Sequence, residues 1–184
     1  MNVPLQPTTI TRHRFTVDDI IALTAQGFVD KRAQLLDGEI YDMPADGDAH
    51  IRFTMALARR LMRALSDNYF IGVQTTLRLS EFNAPSPDLY VLAGGPPAGD
   101  VSPENILLVI EVADTSLNDD LGAAASRYGA HGVRDYWVVD VNTRAIFVHR
   151  SPRNGAYPPP TRIEANSKAT ALLVDGFSLS LAEI

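Results

Sequence analysis

Ile106-Leu107-Leu108-Val109-Ile110-Glu111-Val112-Ala113 is the stretch on which the fold turns. Its β-branched and aliphatic content, apolar on both faces, predicts a strand over Ile106 to Val112 in the middle of a covered sheet. Glu111 breaks that pattern. An unpaired carboxylate in an apolar setting takes up a proton or destabilises its strand by roughly several kcal/mol, so Glu111 needs a partner: a metal ion, an arginine or lysine, or backbone donors. Asp88 is its natural companion. It follows Ser86-Pro87 and opens the run Leu89-Tyr90-Val91-Leu92, at a strand edge where a side chain reaches into a cleft. Two acids on neighbouring strands aimed at one place form a hard oxygen site suited to magnesium or manganese. The bland alternatives are an arginine paired with Glu111 across the sheet and, for Asp88, an aspartate marking a turn after proline.

Outward from this strand the chain alternates helical and extended signals. Thr16 with Asp19 predicts a capped helix that Gly27 stops, and Asp37-Gly38 between Leu35-Leu36 and Glu39-Ile40-Tyr41 predicts a tight hairpin. From about Ala49 to Leu65 the period becomes helical. At ~100° per residue, Arg59 and Arg63 fall within ~20° of Arg52, while Phe53, Leu57, Leu61, Ala64 and Leu65 gather on the far, core-facing side. This arginine stripe reads either as a phosphate contact or as a solvated face. By the same count His50 turns toward the core, where it overlooks the two acids or serves as a hydrogen-bonded core histidine. Strands are predicted over Tyr69 to Leu79, Asp88 to Leu92, Tyr136 to Asp140 and Ala145 to Val148, with a helix from about Asn118 to His131 ended by Gly132. The proline-rich stretch 94–103 reads as a surface loop and Pro158-Pro159-Pro160 as a semi-rigid connector. The order of elements predicts an α/β or α+β sheet with helices packed on it.

The chain has 184 residues, no cysteine and a formal net charge of −6. Its length suits one domain and supplies a core without disulfides or sulfur-bound metal. The acidic balance argues against a general basic coat for nucleic acid, so any such contact must be local. The polar, proline-broken start and the absence of a ~20-residue apolar run lead us to expect a cytoplasmic protein without a membrane span. Serine hydrolases with a Gly-x-Ser-x-Gly elbow, P-loop ATPases, His-Glu-x-x-His zinc enzymes and Gly-x-Gly-x-x-Gly oxidoreductases have no motif here.

The series Gln34-Leu35-Leu36-Asp37-Gly38-Glu39-Ile40-Tyr41, His50, Pro87-Asp88-Leu89, the segment 107–117 from Leu107 to Leu117, and Tyr128 through Gly132 to Asp140 resembles the bacterial restriction-endonuclease-like family, a branch of the PD-(D/E)XK nuclease superfamily. The match runs from about Phe15 to the C-terminus. The resemblance implies a single restriction-endonuclease-like domain over 1–184, with 1–14 as an N-terminal extension and a central mixed sheet flanked by helices. It further implies Mg2+ or Mn2+ held by Asp88 and Glu111, with the Val112 carbonyl as a third donor, and DNA phosphodiesters as substrate. His50 and Gln34 would line the site. The family pattern also places a lysine between an aspartate and a tyrosine on the following helix. Here Asp120 and Tyr128 keep their places, but the lysine position is Ala124, and Gln34 stands where a glutamate is usual. Losing a positioned base or water-orienting group costs roughly 10²–10⁴-fold in rate, so the resemblance implies a slow or dead enzyme. Arg127, one turn beyond Ala124, either reaches toward a phosphate or is a surface arginine. The competing expectation is a non-catalytic nuclease-fold module that binds nucleic acid or a protein partner. Double-strand cleavage needs two sites, which makes a two-fold homodimer the expected assembly.

Overall fold

In a computed structural model, which describes residues 11–184, the chain folds around a six-stranded mixed sheet. Helix α1 (Val17–Ala25) begins with a reciprocal capping box, Thr16 Oγ1 accepting from the Asp19 N–H while the Asp19 carboxylate accepts from the Thr16 N–H. Strands β1 (Gln34–Leu36) and β2 (Glu39–Tyr41) form the predicted hairpin. Asp37 and Gly38 both take positive φ, 55° and 82°, the conformation that lets a two-residue turn follow the twist of its strands. Of the N-terminal extension 1–14, residues 1–10 lie outside the described residues. Residues 11–14 run beside the hairpin, where Arg12 pairs with Glu39 and the Arg14 guanidinium stacks on Phe82.

Helix α2 (Asp48–Ala64) buries Phe53, Leu57, Ala58 and Leu61 as its period requires. Ala64, expected on the core side, is exposed at the last position of the helix. Strand β3 (Tyr69–Val73) is shorter than the predicted 69–79. Gln74 turns to φ 47°, which ends the extended run and sends the chain away from the sheet. β4 (Leu89–Ala93), β5 (Ile106–Ala113), β6 (Asp135–Asp140) and β7 (Ala145–Arg150) fall within a residue or two of their predicted bounds. Three late strands carry too little periodic signal to be read from sequence: β8 (Thr161–Ile163), β9 (Ala169–Thr170) and β10 (Ser178–Leu179).

The sheet order is β3-β4-β5-β6-β7-β8, antiparallel throughout except for the parallel pair β5–β6. A parallel pair needs a crossover, and the helical segment 117–130 supplies it. That segment consists of α3 (Leu117–Asp119), a π-helical turn at Asp120–Ala124 and α4 (Ala125–Ala130), and Gly132 ends it at φ 75°. Alternate residues of the strands divide the core in two. Leu89, Val91, Leu108, Ile110, Val112 and Trp137 pack under α2 and the β9–β10 hairpin. Tyr90, Val109, Tyr136 and Val138 pack under segment 117–130. No helix is long and apolar enough to cross a membrane, among the described residues.

Candidate functional site

The register Leu89↔Ile110 between β4 and β5 brings Asp88, the residue just before β4, up to Glu111. The Asp88 backbone N–H donates to Glu111 Oε2 at 3.0 Å, and the Val112 N–H donates to Asp88 Oδ2 at 2.8 Å. These reciprocal bonds aim both carboxylates at the same end of the sheet, as the sequence reading requires. His50, in the first turn of α2, reaches that end from the other layer and places Nε2 3.0 Å from Asp88 Oδ2. On the crossover side, the Tyr128 hydroxyl donates to Glu111 Oε1 at 2.8 Å. Four elements thus meet at one pair of acids.

Neither acid has an arginine or lysine within 4 Å among the described residues, which removes the structural-arginine alternative for Glu111. Burial drives the Glu111 carboxyl well above the ordinary range, and the charge on Asp88 pushes it further the same way. The hydrogen bond to Asp88 raises His50, against an opposing effect of burial, so Asp88 favours the protonated ring. Glu111 has no such partner. Asp120, in the π-helical turn, is also pushed up, to about 6, first by burial and then by Asp88, although the Ser116 hydroxyl bonded to it works in the opposite direction. Tyr128 is raised by burial and by the Glu111 charge, so its hydroxyl stays protonated and donating.

This donor set fits a hard divalent cation. It offers carboxylate oxygens crowded together with an uncompensated charge, the condition an ion relieves. Among the described residues no group of three or more His, Asp or Glu side chains is disposed to hold an ion unaided. A two-carboxylate site suits Mg2+ in particular, which usually keeps several waters and takes its remaining oxygens from phosphate.

The sequence pattern of the Uma2 family, described as "Putative restriction endonuclease", matches residues 22–182. The chain belongs to the Uma2 family. Among solved structures, a protein from Anabaena variabilis described as "a putative nuclease" is similar to this Uma2 chain at 13% identity and a TM-score of 0.68, covering 92% of this chain and 96% of that one. At that identity the likeness speaks for the fold. No curated protein matches the chain by sequence. Family and fold together make this Uma2 chain nuclease-like.

Of the residues singled out in the sequence, Asp88, Glu111 and His50 come together. Gln34 lies on β1 opposite Tyr41, half-buried, and makes no hydrogen bond to the acids. Ala124 ends the π-helical turn, four residues from both Asp120 and Tyr128, and packs against the core cluster that contains Tyr128. The π turn widens the helix where this face meets Glu111, a placement such turns often have at functional sites. Arg127 is not a surface arginine: its side chain is 11% exposed, with Nη2 3.4 Å from Asp37 and Nε buried without a partner. Sequence reasoning missed Gln74, whose Nε2 donates to Asp46 Oδ2 at 2.7 Å and to Asp88 Oδ1 at 3.4 Å. Its signal is a positive φ at the end of β3, which leaves no mark in hydrophobic periodicity.

Proposed function

We propose that this Uma2 protein is a metal-dependent endonuclease that hydrolyses DNA phosphodiesters in the cytoplasm, at a rate held low by Ala124. The observation carrying this reading is the convergence of Asp88 and Glu111 with no arginine or lysine within 4 Å among the described residues. Asp88 and Glu111 would hold Mg2+ or Mn2+. Bound there, the ion supplies an activated water and offsets charge on the phosphate oxygens. The chain's own groups keep the donors in place. Val112 N–H and His50 Nε2 hold Asp88 Oδ2, Gln74 holds Oδ1, and the Tyr128 hydroxyl holds Glu111 Oε1. What the site lacks is a lysine. The chain has two, Lys31 and Lys168, and neither contacts Asp88, Glu111 or His50. That shortage favours a second reading, a non-catalytic module on the same fold that binds nucleic acid or a protein partner. A two-fold dimer would bring two sites to the two strands of a duplex.

Incubating plasmid DNA with Mg2+ or Mn2+ separates the readings. The first expects metal-dependent nicking by the wild type that Asp88→Ala abolishes and Ala124→Lys accelerates by roughly 10²–10⁴-fold. No cleavage by the Ala124→Lys variant would replace it with the second.

A further inference from the structure

We infer that His149 is an acid-sensitive latch: on taking up a proton it releases the strap 151–160 that joins β7 to β8, and with the strap goes the outer support of α4, whatever reaction Asp88 and Glu111 carry out. His149 stands on β7 opposite Tyr136 of β6, on the side of the sheet that faces segment 117–130. It is 4% exposed, and neither Nδ1 nor Nε2 has a hydrogen-bond partner although both are buried. Its ring packs against two tyrosines, 5.5 Å from Tyr136 and 5.3 Å from Tyr157 between centroids. Tyr136 is fully buried, whereas Tyr157, on the strap, is the partly exposed outer member.

No charged group answers this ring. Tyr136 and Tyr157 are both held protonated by burial. Asp135 and Arg150 pair with each other on the opposite face, beside Trp137. Arg162 of β8 stands over Phe147 and pairs with Glu164, and Arg153 at the tip of the strap is exposed. On segment 117–130, Asp120 is bonded to Ser116, Tyr128 to Glu111, and His131 to the Arg127 carbonyl and Ser80. Burial alone acts on His149 and holds it below its ordinary value of 6.5. A neutral ring tolerates this place. An imidazolium with two unanswered N–H groups does not, so proton uptake and exposure to water come together.

The strap is the part that can yield. β7 is paired on both sides, but hydrogen bonds tie the strap to the body at two points, from the Ser151 N–H to the Arg134 carbonyl at 3.0 Å and from the Tyr157 hydroxyl to the Val133 carbonyl at 2.6 Å. Pro158-Pro159-Pro160 offers no N–H for more. The tip, turned by positive φ at Asn154 and Gly155, rests on α4: a Cβ added at Gly129 would lie 3.0 Å from the Gly155 carbonyl oxygen and 3.2 Å from the Tyr157 ring. α4 is the element that carries Tyr128 to Glu111, so release of the strap uncovers α4 and lowers its local stability.

Hydrogen exchange of the full chain, read by mass spectrometry at about pH 7.5 and about pH 5 and corrected for the intrinsic rate, is the test. Closure over neutral His149 is complete above about 6.5 and is lost as pH falls below it. Protection of 151–157 and 125–133 should therefore fall by up to about 10-fold for each pH unit below 6.5, while β4 and β5 stay protected. His149→Phe, which keeps a ring and takes no proton, should hold its protection at both pH values. Tyr157→Phe, which loses the bond to Val133, should speed exchange of the strap already at the higher pH. By NMR, the wild-type His149 ring signals, identified by their loss in His149→Gln, should titrate below 6.5 and the Tyr157 ring should shift with the same midpoint. Strap protection that does not change with pH, an equal loss at low pH in His149→Phe, or a His149 ring titrating at 6.5 or above overturns the latch. A loss spread evenly over β4 and β5 overturns it too, because that is acid unfolding of the whole chain.

Discussion

Each acid at the end of the sheet is in a different electrostatic situation, and that difference sets what it does. Asp88 has the His50 ring and two further donors, while Glu111 has only a hydroxyl and an amide, so charge on Glu111 is the less compensated of the two. Asp120 extends the acidic group without joining it. Its carboxyl, ordinarily near 3.8, is raised to about 6, so between about pH 4 and 6 the unfolded chain releases a proton that the folded chain keeps. Stability contributed by this group is present below about pH 4 and is lost as pH rises through 6. Asp120→Asn, which can still accept from Ser116, should flatten the stability profile over that window, recovering on the order of 2 kcal/mol at pH 7 in urea titrations. A variant that tracks the wild type from pH 4 to 7 would place Asp120 in ordinary solvent.

At the scale of elements, the approach of β3 to β4 depends on a residue with no side chain. Gly72 lies opposite Tyr90, and a Cβ added at Gly72 would sit 2.1 Å from the Tyr90 ring, which is fully buried and cannot swing out. Gly72→Ala should therefore destabilise the fold by about 2–4 kcal/mol, seen as a lower urea midpoint. A change under about 0.5 kcal/mol would mean the ring has room to move. The consequence reaches the site, because β4 is the strand that Asp88 opens and Gln74 follows β3 directly. The crossover matters in the same way. Tyr128 bonds Glu111 through its hydroxyl and Tyr136 bonds the Asp120 carbonyl at 2.9 Å, so segment 117–130 is tied to the sheet at the start of its π-helical turn and again in α4. Ala124, where the family resemblance implies a lysine, lies between those two anchors along the chain.

For the molecule as a whole, the acids join the layers packed on the two faces of the sheet. α2 arrives with His50, segment 117–130 with Tyr128, and β4 and β5 with the carboxylates, so repulsion within the pair weighs on global stability. Because Glu111 is raised, the metal-free protein should lose stability as pH climbs from about 4.5, and a bound divalent cation should restore it. Thermal melts with and without Mn2+ should show a larger gain at pH 8 than at pH 5, about 2.7 kcal/mol when the ion is at 100 times its Kd. Asp88→Ala should show no gain, and an equal gain at both pH values would separate the ion from Glu111. Much of this architecture was legible in the chain itself. The capping box of Thr16 and Asp19, the Asp37-Gly38 turn, the core face of α2 and the covered strand around Glu111 are all dictated by neighbours a few residues apart, and propensity and periodicity act at that range. The oddity of a carboxylate within Ile106 to Val112 was legible for the same reason. Only the folded chain decided which groups answer it. His50 lies 38 residues from Asp88 and Tyr128 lies 17 from Glu111, and their meeting depends on strand register and on a crossover that local pattern does not encode. The end of β3 at Gln74, the inward turn of Arg127 and the pairing of β8 with β7 belong to the same class, because each is decided by contacts between distant segments.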